Sequence, residues 1–254
     1  MDLVGRLRAA GCVFAEEEAE LLAGATEEMI ARRIAGEPLE TVLGWAAFAG
    51  IRVACRPGVF VPRVRSELLV RLAMTAMPRR VLDLGCGTGA LGAAVAARVP
   101  EVEVWAVDVD PAAVACARLN LPAERVLEGD LFEPLPAMAF DVILANAPYV
   151  PTEEIALMPS EARDHEHRVA LDGGADGLAL QRRLIAQAPG WLAEGGVLLV
   201  ESSRRQAPAT RRLMADAGLV ADVVTDEEIA GTAVRGQVRR SSTPHRWTTF
   251  GEGT

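Results

Sequence analysis

The chain contains no lysine, so all 26 of its fixed basic groups are arginines, and 35 carboxylates outnumber them. The formal net charge is −9. Such a surface repels a phosphate backbone, which argues against general nucleic-acid binding while leaving room for a local basic patch. The pairs Arg79-Arg80, Arg204-Arg205, Arg211-Arg212 and Arg239-Arg240 are scattered and read as solvated faces. Aromatics supply only 4% of residues, so leucine, valine and alanine must fill the core. The four cysteines, Cys12, Cys55, Cys86 and Cys116, form no C-x-x-C pair, which argues against a zinc site. They are too few for a disulfide framework and fit reduced thiols in a cytoplasm. No run of ~18 uncharged apolar residues occurs, and the N-terminus lacks a charged start followed by an apolar stretch. A membrane protein and a secreted one are therefore both disfavoured.

What is present is 254 residues, half of them apolar. That is enough for one large domain and a small companion. Residues 1–36 predict helices, with Thr26-Glu27-Glu28 as a start and Gly36 as a stop. Residues 37–65 change character, with short apolar runs (Thr41-Val42-Leu43, Ile51-Arg52-Val53) broken by glycine and proline. They predict a β-hairpin or an extended linker. From Ser66 to residue 240, strands and helices alternate. Strands are predicted at 80–84, 102–107, 125–127, 140–145, 197–201, 219–225 and 233–239. The stretch from Leu178 to Leu192 predicts a helix ending at Gly195-Gly196. Alternation of this kind implies an α/β fold with a doubly wound, mainly parallel seven-stranded sheet. Residues 241–254 read as a polar tail.

The first strand of this region, Val81-Leu82-Asp83-Leu84, runs into Gly85-Cys86-Gly87-Thr88-Gly89-Ala90. A strand that meets a helix through glycines lets backbone approach a ligand, and the helix start offers free N–H groups to an anion. The anion could be the pyrophosphate of a dinucleotide or the carboxylate of S-adenosylmethionine, since Gly85, Gly87 and Ala90 also satisfy G-x-G-x-x-G/A. Asp108 ends the next strand about 20 residues later, where a carboxylate accepts from ribose hydroxyls. Asp110-Pro111 reads as a helix cap. Asp130 ends the third strand and could accept from an adenine amine, with Leu131 covering the ring.

The fourth strand ends in Asn146-Ala147-Pro148-Tyr149. This tetrapeptide resembles the Asn-Pro-Pro-Tyr motif of methyltransferases that modify planar amide or amine nitrogens. Flanking segments narrow the resemblance: Arg33 with Gly36-Glu37-Pro38-Leu39, Gly58-Val59-Phe60-Val61-Pro62-Arg63, Glu161-Ala162-Arg163-Asp164, and Ala170 to Leu178. Over residues 32–240 the chain resembles the HemK/PrmC protein-(glutamine-N5) methyltransferases. The resemblance implies a Rossmann-like domain that uses S-adenosyl-L-methionine, held by Asp83, Gly85, Cys86, Gly87, Thr88, Gly89, Asp108, Val109, Asp130, Leu131 and Asn146. It implies acceptor contacts from the Asn146 side-chain carbonyl and the Ala147 backbone carbonyl, with Pro148 stiffening the turn and Tyr149 shaping the transfer slot. The implied partner is a protein bearing an exposed glutamine, such as a peptide chain release factor or a ribosomal protein. Three departures stand out: Ala147 replaces the first proline, Val64-Arg65-Ser66 replaces Pro-Glu-Thr, and His167 replaces a proline.

Other functions fit these residues less well. An exocyclic amine of a nucleic-acid base presents a similar flat N–H₂ group, but such an enzyme normally needs a basic channel. An NAD-dependent dehydrogenase has no task for the tetrapeptide or Asp130. A non-catalytic binding module is motivated only by Ala147. His165-x-His167 lacks a third metal ligand, Glu153-Glu154 read as solvated acids, and Cys86 has no base beside it.

Overall fold

Side-chain caps begin the first and third of the N-terminal helices. In the computed structural model, which describes residues 2–239, Asp2 accepts from the Gly5 N–H at the start of α1 (Leu3–Ala9). After α2 (Ala15–Leu21), Thr26 caps α3 (Glu27–Ile34) by accepting from the Met29 N–H. These bonds satisfy donors that a helix start otherwise leaves orphaned. The following turn of helix, α4 (Leu39–Leu43), falls where the sequence predicts a linker. It is helical because Val42 is buried against Leu7, Ala15 and Leu22, so the helical cluster extends past residue 36. The hairpin comes next, as β1 (Trp45–Phe48) antiparallel to β2 (Ile51–Ala54).

A short 3₁₀ turn, Val64–Ser66, leads into α5 (Glu67–Thr75) and the main sheet. The elements then run β3 (Arg80–Leu84), α6 (Ala90–Ala96), β4 (Glu103–Asp108), α7 (Pro111–Ala117), β5 (Val126–Glu128) and β6 (Phe140–Ala145). They continue with α8 (Ser160–His165), α9 (Ala179–Gln187), β7 (Leu192–Glu201), α10 (Ala207–Asp216), β8 (Val220–Asp226) and β9 (Gly231–Gln237). The sheet order is β5-β4-β3-β6-β7-β9-β8, with β9 alone running antiparallel. Seven strands, mainly parallel, match the expectation from the alternating pattern.

Helices cover both faces, so alternate strand residues are buried on opposite sides. Val81, Val104, Ala106, Val142 and Leu144 pack with α5, α6 and α7. Leu82, Leu84, Val107, Ile143 and Leu198 pack with α9 and α10. Two-sided burial explains why these strands appear in the sequence as continuous apolar runs.

One helix prediction needs correction. The helix expected from Leu178 to Leu192 ends at Gln187, and β7 already begins at Leu192. The Phe140 N–H donates to the Trp191 carbonyl, and the β6–β7 register shifts between Phe140 and Val142. Gly195 and Gly196 thus sit inside a strand irregularity. A Cβ at 196 would lie 2.9 Å from the Phe140 carbonyl oxygen, so backbone crowding, not helix termination, accounts for that glycine.

Gly92 in α6 is similarly crowded: a Cβ there would sit 2.8 Å from Val104 Cγ1 and 3.3 Å from Asp83 Oδ2. Gly92→Ala is therefore expected to destabilise the fold by about 1–3 kcal/mol through overpacking. A urea midpoint equal to that of the parent protein would refute the expectation. No helix among the described residues is long and apolar enough to cross a membrane. The polar tail expected at 241–254 lies outside the described residues.

Candidate active site

The sheet order places β3 and β6 side by side while β4 and β5 wind away from them. In such open sheets the crevice at this switch point, beyond the carboxyl ends of the strands, is where ligands sit. A cleft of about 1270 Å³, partly open to solvent, lies there.

The glycine loop forms one wall. The N–H groups of Gly85 and Cys86 both donate to the Val107 carbonyl, at 2.8 and 3.0 Å, which ties the loop to the end of β4. Gly87 has φ +54°, and its N–H donates to Asp108 Oδ2 at 2.8 Å. Gly85, Cys86, Gly87 and Thr88 all line the cleft. Burial pushes the Cys86 thiol well above its ordinary range, so it stays protonated and is no nucleophile.

Asp108 and Val109 line the next part of the wall. Asp108 Oδ1 accepts from the Asp110 N–H at 2.9 Å, so each of its oxygens already holds one backbone donor. Burial nonetheless raises its carboxyl above the usual range, opposed by those N–H groups. Asp110 caps α7 and also meets His167 Nδ1 at 2.6 Å. Asp130 and Leu131 complete this side, but Asp130 Oδ2 is engaged by Arg183 at 2.5 Å.

Two residues assigned from sequence do not line the cleft. Gly89 faces inward, where a Cβ would lie 2.9 Å from Leu121 Cδ1. Asp83 is fully buried beneath the loop, its Oδ2 accepting from the Gly92 N–H at 2.9 Å and its Oδ1 without a partner. Burial pushes the Asp83 carboxyl up to about 7, against the pull of the Gly92 N–H. A raised folded-state value means that the group stabilises the fold fully only below the unfolded value of about 3.9, and that this contribution is lost as pH rises. For Asp83 the loss runs up to about 7. Asp83→Asn should flatten the stability–pH profile across that window. An identical slope in urea titrations of both proteins would count against this account.

The tetrapeptide at the end of β6 forms a further wall, and Asn146, Ala147, Pro148 and Tyr149 all line the cleft. Asn146 Nδ2 donates to Ser66 Oγ at 3.2 Å. The Tyr149 hydroxyl donates to Glu201 Oε1 at 3.1 Å, and Arg65 Nε donates to the same oxygen at 3.0 Å. Burial, with help from Glu201, pushes the Tyr149 phenol up to about 12, so it is a donor and not a base at neutral pH. The Tyr149 carbonyl accepts from Gln206 Nε2 at 2.9 Å. Gly177, at φ +73°, closes against this turn; a Cβ there would lie 2.3 Å from the Tyr149 carbonyl oxygen. Only glycine permits both that backbone and that approach.

Glu201 and Gln206 escaped the sequence reading. They come from β7 and from the N-terminus of α10, some fifty residues beyond the motif, so no local spacing marks them. The segment after the tetrapeptide supplies Met158, Val169, Ala170 and Leu171 to the cleft. It is held down by Glu166, whose Oε1 accepts from the Val61 N–H and from Arg63, and by His167, whose N–H donates to the Gly58 carbonyl. The two imidazoles point to different neighbours. His167 meets Asp110, whereas His165 lies near Gly36.

Comparison with known proteins adds a family to this geometry. Residues 50–161 match the methyltransferase small domain. The release factor glutamine methyltransferase of Bordetella pertussis is 42% identical over 217 residues, covering 82% of this chain and 79% of that protein. The protein of the same name from Geobacter sulfurreducens is 40% identical over 187 residues, covering 70% of this chain. The match spans 65% of the Geobacter protein, just under two thirds of its length. Among solved structures, a T. thermophilus 16S rRNA N2 methyltransferase in complex with AdoMet and guanosine shares the fold. Its TM-score is 0.56 at 23% identity, over 77% of this chain and 50% of that one.

Proposed function

Because the chain belongs to the release factor glutamine methyltransferase family, we propose that it transfers a methyl group from S-adenosyl-L-methionine to the side-chain amide nitrogen of a protein glutamine. One observation carries this reading: the glycine loop with Asp108 and the tetrapeptide Asn146–Tyr149 line a single cleft.

The residues present fit the cofactor. The loop from Gly85 to Gly87 offers backbone close to a carboxylate. Asp108 accepts the Gly87 N–H on one oxygen and the Asp110 N–H on the other, and a carboxylate has lone pairs beyond these for ribose hydroxyls. Asp130 and Leu131 line the same cleft and are proposed to meet the adenine amine and ring. Bound there, S-adenosylmethionine supplies an electrophilic methyl group on a sulfonium.

The protein's task is to prepare the acceptor. A glutamine amide nitrogen is a poor nucleophile because its lone pair is delocalised into the carbonyl. Asn146 Oδ1, whose amide nitrogen is already tied to Ser66, and the Ala147 carbonyl can each accept one N–H of the substrate amide. Two acceptors so placed orient the flat group and favour positive charge building on nitrogen. Tyr149, held neutral, packs beside the slot. The proton leaves after transfer, to water.

The acceptor is proposed to be a peptide chain release factor, with a ribosomal protein as the second candidate, in a cytoplasm where the four free cysteines stay reduced. Incubation with methyl-labelled S-adenosylmethionine and release factors, ribosomal proteins, tRNA and DNA tests this. Label on a glutamine of a release factor is the expected result. Label confined to nucleic acid would replace the reading with that of a base-amine methyltransferase.

A further inference from the structure

We propose that the 3₁₀ turn Val64–Ser66 braces the acceptor side of the cleft, with Ser66 and Arg65 as positioning residues for Asn146 and Tyr149. The inference rests on the methyl-transfer reading above and adds residues to it.

Two consecutive side chains of this turn reach the two ends of the tetrapeptide. Ser66 is 2% exposed, and its Oγ accepts from Asn146 Nδ2. An asparagine amide has a donor end and an acceptor end of nearly equal shape. Engaging the nitrogen leaves the oxygen to face an incoming N–H. Arg65 acts on the other end both directly, its guanidinium lying against the Tyr149 phenol, and through Glu201. Its Nε and the Tyr149 hydroxyl donate to the same oxygen of Glu201. The Glu201 side chain is 3% exposed, and its second oxygen has no partner. Burying a carboxylate is costly unless it is paired, and Arg65 forms the ion pair of Glu201. A carboxylate paired in this way is a strong acceptor, and its bond to the hydroxyl fixes the phenol and hence the ring plane.

The turn itself is held rigidly. The Ser66 N–H donates to the Arg63 carbonyl at 2.9 Å. Gly231, at the start of β9, approaches closely from behind, so that a Cβ there would lie 3.0 Å from the Arg65 carbonyl oxygen. A brace on a rigid element can hold the acceptor slot to the tolerance that methyl transfer needs.

Tyr149 is the only tyrosine of the chain. Protein labelled with ¹³C at the tyrosine Cζ therefore shows one resonance, which reports on this hydroxyl alone. Arg65→Met is expected to move or split that resonance and to lower kcat by about 10- to 100-fold with unchanged affinity for S-adenosylhomocysteine. Ser66→Ala should lower kcat in the same direction without shifting the resonance, and Ser66→Thr should restore turnover. Should Arg65→Met fail to fold, Glu201→Gln keeps the side-chain volume and must still shift the resonance. An unmoved line in Glu201→Gln, or parental kcat in both Arg65→Met and Ser66→Ala, overturns the brace. A parent protein that methylates no acceptor would refute the functional reading, while the resonance would still decide whether Arg65 and Glu201 hold Tyr149.

Discussion

Asn146→Ala is expected to lower methyl transfer by about 10²- to 10³-fold, the cost of removing one preorganised hydrogen-bonding group aimed at a reacting centre. The physical basis is the division of labour within one side chain. Nδ2 is committed to Ser66, which leaves Oδ1 as the group able to polarise a substrate N–H. Alanine removes the acceptor without touching the glycine loop or Asp108 elsewhere in the cleft. Binding of S-adenosylhomocysteine, followed by calorimetry, should therefore largely persist. Single-turnover transfer of labelled methyl measures the chemical step. Full turnover by the variant would remove Asn146 from the proposed role.

The second large effect is expected on cofactor binding. Asp108→Ala should weaken S-adenosylhomocysteine affinity by about 100-fold, taking two ribose hydrogen bonds to a charged acceptor at roughly 1.5 kcal/mol each. The same carboxylate also receives the N–H groups of Gly87 and Asp110. Its removal loosens the loop as well as deleting ligand contacts, which adds to the loss. Asp108→Asn keeps one carbonyl acceptor and should fall between the two proteins. Parental affinity in Asp108→Ala would mean that the ribose is held elsewhere.

Much of this was legible along the chain because it is encoded locally. Strands buried on both faces must be apolar throughout, so β3, β4 and β6 stand out as short apolar runs. Parallel strands then carry their loops to one sheet edge, which is why Gly85, Asp108, Asp130 and Asn146 could be assigned to one place from order alone. Where local signals were overruled, packing was the cause. Thr41-Val42-Leu43 became helix because Val42 had a small core to enter, and Gly195-Gly196 entered a strand because β6 pairs with β7 from Leu192 onward. Asp83 sits in the strand that leads into the glycine loop, yet alternation turns it beneath the loop, where it holds α6 at Gly92.

By itself, the sequence determined the class of sheet, the glycine loop, the acids at strand ends and the tetrapeptide that follows the fourth strand. Each is a contiguous word, specified by backbone geometry over a few residues. Tertiary structure alone decided which atoms of those residues remain free. Asn146 presents an oxygen because Ser66 takes its nitrogen, Tyr149 stays a donor because burial and Glu201 oppose its ionisation, and Asp130 shares its charge with Arg183. Such partners come from elements far apart in the chain, and burial strengthens their bonds by excluding water, so no spacing in the sequence announces them.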